Sequence, residues 1–407
     1  VSRFLFVVPP LTGHTNPTVA VAERLVERGH AVAWTGYARI TGPLLPAGAT
    51  LIPVGDDPAD DDEQLASARE RAQGLRGAEA LLFLWQDFLL PLGRAMVPGI
   101  EAAVDRFQPD VLVVDQQAIG GAVVAQQRGL PWATSATTSA ELVDPFALLP
   151  KVGEWVAAEL ARFQGDFGVS GAGDVRFSEH LVLAFSTAAL AGPERSFPAH
   201  WRFVGPSLGT RPATADFPWE WLDPARRHVL VSLGTINAPA GRRFLTESVA
   251  ALAALRSRVQ GVVVGPPDLV ASASLPSNVV IRGFVPQLEL LARMDAVVSH
   301  GGHNTVCETL AHGLPLVVAP IRDDQPIVAQ QVTDAGAAIR VRFGRVRAPE
   351  VAEAITRVLD EPAYREAARR LRLSFEAAGG AGAAAAALEA LAGGVGAGAR
   401  GAGADAP

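Results

Sequence analysis

The sequence predicts an α/β protein of two domains, and three observations carry that reading. The chain has 407 residues, 49% of them hydrophobic, enough to bury more than one core. Short apolar runs alternate with amphipathic stretches at helical spacing, the pattern of strands and crossover helices in a parallel sheet. That alternation stops at a segment rich in proline and glycine and then begins again.

The first strand is expected over 3–8, followed by PPLTGHTNP and an amphipathic helix from about Pro17, which suits a first turn, to Arg28, with Gly29 as its stop. His14 then falls on the loop at the strand's C-terminal end, the side on which open α/β sheets bind ligands. That loop has one glycine and no GxGxxG fingerprint, which argues against a dinucleotide site. Strands over 30–35 and 50–54 follow. Residues 56–77 are polar and acidic and read as a flap leading into helix. Asp60, Asp61 and Asp62 resemble a DxD metal element but sit among loop residues, so they read as solvated.

Residues 81–92, LLFLWQDFLLPL, are either buried helix or the wall of a hydrophobic pocket, Trp85 and Phe88 included. The run VLVVD over 111–115 is a buried strand ending in the carboxylate of Asp115, on the same sheet edge as His14. An aspartate there can hold an imidazole in one tautomer and make it a base. The alternative is a helix-capping Asp115 and a turn residue at His14. A helix through Gln127 and strands over 131–135, 181–185 and 202–204 complete a first domain at 1–205. Residues 206–228 read as the linker.

The second series places a strand over 229–232 ending in SLGT, a helix over 241–255, and strands over 261–264 and 279–282. GFVPQLELL then leads into a helix. An apolar run over 296–298 ends at His300, Gly301 and Gly302, and a helix is expected over 304–312. Glycines let backbone N–H groups approach an anion, the positive helix end faces it, and His300, Asn304 and Thr305 can add donors. Ser232, Gly234 and Thr235 make a second small-residue turn, which suggests a diphosphate. Final helices are expected over 349–359 and 362–391, the second interrupted at Gly379 and Gly380. The second domain then spans 229–375, 376–392 is expected to form a terminal helix that packs back on the first domain, and 393–407 is a low-complexity tail expected to be disordered.

Composition excludes several classes. The net charge of −7 gives no reason to expect a nucleic-acid partner. Lys151 is the only lysine and lies outside any glycine-rich loop, which excludes a P-loop. No G-x-S-x-G elbow occurs. The single cysteine, Cys307, allows no intrachain disulfide. Runs such as 111–114 and 314–320 fall far short of the roughly 20 apolar residues of a membrane span. With no signal-type N-terminus, the expectation is a cytoplasmic protein.

GHTNP, VVD, SLGT, FVPQ, HGGHNTVCE, GLPLVVAP and DDQP occur in this order. On them the chain resembles the bacterial UDP-glycosyltransferase family, glycosyltransferase family 1, among members that decorate macrolides, polyketides and enediynes. The resemblance implies the GT-B fold, two Rossmann-like domains with parallel sheets facing across a cleft. It implies His14 as the base for an acceptor hydroxyl and Asp115 as its partner. Diphosphate contacts fall to Ser232, Gly234, Thr235, His300, Gly302, Asn304 and Thr305. Val285 and Gln287 attend the nucleobase, Glu308 the pentose, and Asp324 and Gln325 the sugar. Gly13, Trp85, Phe88 and Phe146 would face a hydrophobic acceptor.

Two departures stand out. Plant members stack a tryptophan on uracil where this chain has Phe284, which leaves UDP and TDP both open. Their HCGWNS is HGGHNT here, with His303 in place of tryptophan. His300 and His303 also read as an HxxH pair, but in a phosphate-site context. The implied reaction inverts the anomeric centre and needs no metal or cofactor beyond the UDP- or TDP-sugar co-substrate. The partners are that nucleotide sugar and a hydrophobic small molecule, with a monomer or homodimer as the assembly. A non-catalytic sugar-nucleotide binder and a GT-B epimerase are the alternatives.

Overall fold

The computed structural model describes residues 1–55, 75, 78–140, 142, 146, 149–169, 173–192, 196–209, 216–234, 241–270 and 275–401. The chain divides into two compact units. One comprises Val1–Thr187, Arg195–Pro212 and Ala378–Pro407, and the other Ala188–Glu194 and Ala213–Ala377.

The first unit is built on a seven-stranded sheet of β1 (Arg3–Val7), β2 (Ala31–Gly36), β3 (Thr50–Pro53), β4 (Val111–Asp115), β5 (Trp132–Ala136), β6 (Leu181–Ala184) and β7 (Trp201–Phe203). Its order is β3-β2-β1-β4-β5-β6-β7, parallel throughout. Helices cover both faces, so the strands read as apolar runs rather than alternating ones. Phe4 and Phe6 face α1 (Thr12–Glu27) through Val19 and Leu25. Leu5, Val7, Leu112 and Val114 pack with Met96 and Ile100 of α2 (Leu90–Phe107), Ala122 of α3 (Ile119–Gln127) and Phe163 of α4 (Pro150–Asp166).

The second unit has six strands, β8 (Arg227–Ser232), β9 (Val259–Val264), β10 (Val279–Arg282), β11 (Ala296–Ser299), β12 (Leu316–Val318) and β13 (Ala338–Arg340). They run in the order β10-β9-β8-β11-β12-β13, again all parallel. Phe244 of α5 (Arg242–Ala254) joins the core under Val229, Val231 and Val298. β11 leads into α6 (His303–Ala311) and β12 into α7 (Gln325–Asp334). Ile355 of α8 (Ala348–Asp360) completes that core.

After α9 (Pro362–Ala378), Gly379 and Gly380 take left-handed φ values of 85° and 55°. The chain turns there into α10 (Gly380–Gly401), which returns to the first unit. Gly380 N–H donates to the Val204 carbonyl at 2.7 Å. Ala384, Ala385 and Leu388 are buried in the core of Phe4 and Phe6, and Glu389 meets Arg28 at 2.7 Å and His30 at 2.9 Å.

Several expectations change. The first helix starts at Thr12, not Pro17, because the Leu11 carbonyl already accepts the N–H of His14 at 3.0 Å and of Thr15 at 3.2 Å. Pro17 lies inside that helix, where it forgoes a bond to the Gly13 carbonyl. The short strands β12 and β13 and the helix α7 were not anticipated. Helix continues past Gly393 to Gly401. The expected linker divides: the Ser207 hydroxyl donates to the Pro17 carbonyl, while Phe217 packs with Leu230 and Val285 in the second unit. Residues Glu79–Phe107 form a helical stretch long and apolar enough to cross a membrane by length and composition alone, contrary to the run-length reading. Its Trp85, Leu89, Met96 and Ile100 are core residues. Asp60, Asp61 and Asp62 lie outside the described residues.

Candidate active site

Each sheet reverses its strand order once, between β1 and β4 and between β8 and β11. At such a switch point the loops leave in opposite directions and open a crevice at the strand C-termini. Candidate residues gather at both.

In the first unit α1 follows β1 and carries His14 in its first turn, while Asp115 ends β4. His14 Nδ1 lies 2.9 Å from Asp115 Oδ1 and 3.0 Å from Oδ2. Asp115 is 1% exposed. Its Oδ1 also accepts the Gln117 N–H at 2.9 Å, an Asx-type turn bond ahead of α3, whose N-cap is Ala118 and not Asp115. A carboxylate can only accept, so the proton sits on Nδ1 and Nε2 keeps its lone pair. That is the nitrogen a base uses.

The sequence reading missed Thr137. It stands just beyond β5, where Asp115 pairs with Ser135. Its hydroxyl donates to Asp115 Oδ2 at 3.0 Å, and Oγ1 is 2.8 Å from His14 Nδ1. A threonine after a strand carries no signature of its own. The strand register was the only available signal.

In the second unit, Ser232 and Ser299 are register partners at the switch point. The turns after them hold left-handed Gly234 (φ 70°) and Gly301 (φ 83°), a conformation suited to glycine. The buried His300 imidazole lies against both: a Cβ on Gly302 would sit 2.4 Å from its Nε2, and one on Gly234 3.0 Å from its Cε1. Burial lowers the His300 pKa from its ordinary 6.5 to about 4, against the opposing pull of Asp324 and a hydrogen bond to the Ser232 backbone. The ring is neutral near pH 7, with its one proton engaged by Ser232. His300 therefore packs against both turns.

α6 begins at His303 with Gly302 as its N-cap, which brings Asn304 and Thr305 into the first turn. His303 contacts the Cys307 sulfur at 3.4 Å, an interior contact. Cys307 is buried, and burial raises its thiol pKa. Gln287 Nε2 donates to Glu308 Oε2 at 2.6 Å, joining a residue expected at the nucleobase to one expected at the pentose. Phe284 is 51% exposed beside the buried Val285. Gln325 is buried, and its Oε1 accepts the N–H groups of Ile321 at 3.0 Å and Arg322 at 3.2 Å. Asp324 directly precedes α7, and Thr235 lies outside the described residues. Among the described residues, no group of three His, Cys, Asp or Glu is placed to hold a metal ion.

The C-terminal-domain model for erythromycin biosynthesis protein CIII-like sequences matches residues 262–391. The 4'-demethylrebeccamycin synthase of Lentzea aerocolonigenes is 29% identical over 92% of this chain and 96% of its own. The solved glycotransferase of kitacinnamycin superposes with a TM-score of 0.77 at 26% identity, covering 96% of this chain and 99% of that one. The chain is a glycosyltransferase of GT-B fold. The demethyllactenocin mycarosyltransferase of Streptomyces fradiae is similar too, 28% identical over 93% of this glycosyltransferase and 84% of its own length.

The aromatic residues of the glycosyltransferase divide by burial. Trp85 and Phe146 are 2% and 8% exposed and belong to the first unit's core, while Phe88 packs against that core and remains partly exposed. Trp85 also lies under the Arg176 guanidinium, 5.3 Å from its ring centre. A six-residue π-helical turn over Leu84–Leu89 carries Trp85 and Phe88. Such a turn widens a helix locally and sets its side chains out of the usual register.

Proposed function

We propose that this glycosyltransferase moves a hexose or deoxyhexose from a UDP- or TDP-sugar to a hydroxyl of a hydrophobic natural product, with inversion and without a metal. The observation that carries the proposal is the His14 Nδ1 to Asp115 contact of 2.9 Å. It leaves Nε2 to take the acceptor proton as the oxygen attacks the anomeric carbon. One displacement gives inversion, so an α-linked donor yields a β-glycoside. The leaving diphosphate gains charge in the transition state. Main-chain N–H groups after β8 and β11, with Ser232, Asn304 and Thr305, offer it donors where that charge grows.

Phe284 supplies an exposed ring for the base, the Gln287–Glu308 pair receives the pentose, and Asp324 with the Gln325 amide receives sugar hydroxyls. Relatives named for demethylrebeccamycin and demethyllactenocin support a natural-product acceptor. With Trp85 and Phe146 in the core, the acceptor wall falls to Phe88.

The test is a panel of UDP- and TDP-sugars against mixed aglycones, scored by mass spectrometry with and without EDTA. Glycoside formed equally in both supports the reading, and activity that needs added Mg2+ removes metal independence. His14→Ala is expected to lower turnover by about 10²–10⁴-fold while donor binding persists. Unchanged turnover would remove the base assignment.

A further inference from the structure

We infer that Thr137 is a positioning residue whose hydroxyl fixes the proton of His14 on Nδ1 by orienting Asp115. The inference rests on His14 being the base. Thr137 is 3% exposed and stands within hydrogen-bond reach of both members of the pair, 3.0 Å from Asp115 Oδ2 and 2.8 Å from His14 Nδ1. A threonine has one O–H proton to give. The ionised carboxylate is the stronger acceptor, so the proton goes to Oδ2 and Oγ1 turns a lone pair toward Nδ1.

Every neighbour of Nδ1 in this cluster is then an acceptor. Asp115 Oδ1 lies at 2.9 Å, Oδ2 at 3.0 Å and Thr137 Oγ1 at 2.8 Å. Only an N–H can sit among three acceptors, so the ring proton is on Nδ1 and Nε2 carries the lone pair. Were the threonine proton to point at Nδ1 instead, the ring would carry its proton on Nε2 and lose its function as a base. Thr137 and the Gln117 N–H hold the two carboxylate oxygens from different elements, which fixes the plane of Asp115 and hence that of the ring.

Thr137→Val keeps the branched shape and removes the hydroxyl. With one hydrogen bond to a charged group lost, kcat is expected to fall roughly tenfold or more. KM for donor and acceptor should stay within about twofold of wild type, because the hydroxyl acts through Asp115. Thr137→Ser should restore kcat to within about threefold. In 15N NMR of histidine-labelled protein, His14 should be protonated on Nδ1 in the wild type and the serine variant, and mixed between tautomers in the valine variant.

Thermal melts check folding, and if the valine variant does not fold, Thr137→Ala beside Thr137→Ser asks the same of the hydroxyl. Wild-type kcat in the valine variant overturns the inference. So does a serine variant as impaired as valine, or a rise in donor KM with kcat unchanged, which would place the hydroxyl on the sugar. His14→Ala is measured alongside. If it turns over normally, the base reading falls and takes this inference with it; if it is inactive while Thr137→Val is normal, only the inference falls.

Discussion

Gly302→Ala separates steric from conformational effects. Gly302 has φ −63° and ψ 137°, a conformation alanine adopts freely, so the substitution brings no backbone strain. The difficulty is His300. The new Cβ would lie 2.4 Å from Nε2 and 2.8 Å from Cε1, so the ring must retreat by about 1 Å to reach ordinary contact. It has little room, because it is buried and Gly234 bounds it as well. Overpacking of this kind costs about 1–3 kcal/mol of stability. It also shifts the two turns proposed to hold the diphosphate, and a misplacement of about 1 Å costs about 10²-fold in rate.

The assay pairs urea unfolding with calorimetric titration of UDP and TDP and with kcat/KM. His300→Ala combined with Gly302→Ala should be little worse than His300→Ala alone, since the clash has gone and neighbouring effects do not add. Wild-type stability together with wild-type nucleotide affinity in Gly302→Ala, or strictly additive effects in the double variant, would refute the idea that the packing of His300 positions the turns.

Two further outcomes concern stability. The His300 pKa lies lower in the folded protein, about 4, than its ordinary 6.5, so the unfolded chain binds more protons between these values. Stability is therefore fully present above about pH 6.5 and declines by about 3 kcal/mol as pH falls to about 4. His300→Asn should flatten that decline in urea midpoints measured across pH, and parallel curves would show that another group controls it. Leu388→Ala, at a fully buried position of α10, should cost about 2–5 kcal/mol. Hydrogen exchange should locate the loss in β1 and α1, and a loss confined to the second unit would contradict the packing described.

What could be read from sequence depended on how strongly each element was marked. Residues 111–115 and 279–282 form strands as expected, because Val111–Val114 and Val279–Ile281 are unbroken, mostly β-branched apolar runs. Strands β12 and β13 have three residues each and no period to detect. The start of α1 was misplaced because Pro17 normally marks a first turn, whereas here Leu11 closes the helix end first. His14 and Asp115 were legible as a pair from their common sheet edge. Thr137 was not, because its place in the cluster is set by the β4–β5 register. The neutral state of His300 also lay beyond the sequence, since burial between two turns produces it.

The return of α10 has a consequence for synthesis. The core around Phe4 and Phe6 includes Leu388, so the first unit to leave the ribosome is the last to be complete. Making residues 213–377 takes roughly 10–30 s at ordinary translation rates. Throughout that interval the face of Phe4 and Phe6 lacks its final helix. The nascent first unit must wait partly open, and the second has everything it needs to fold before the first is closed.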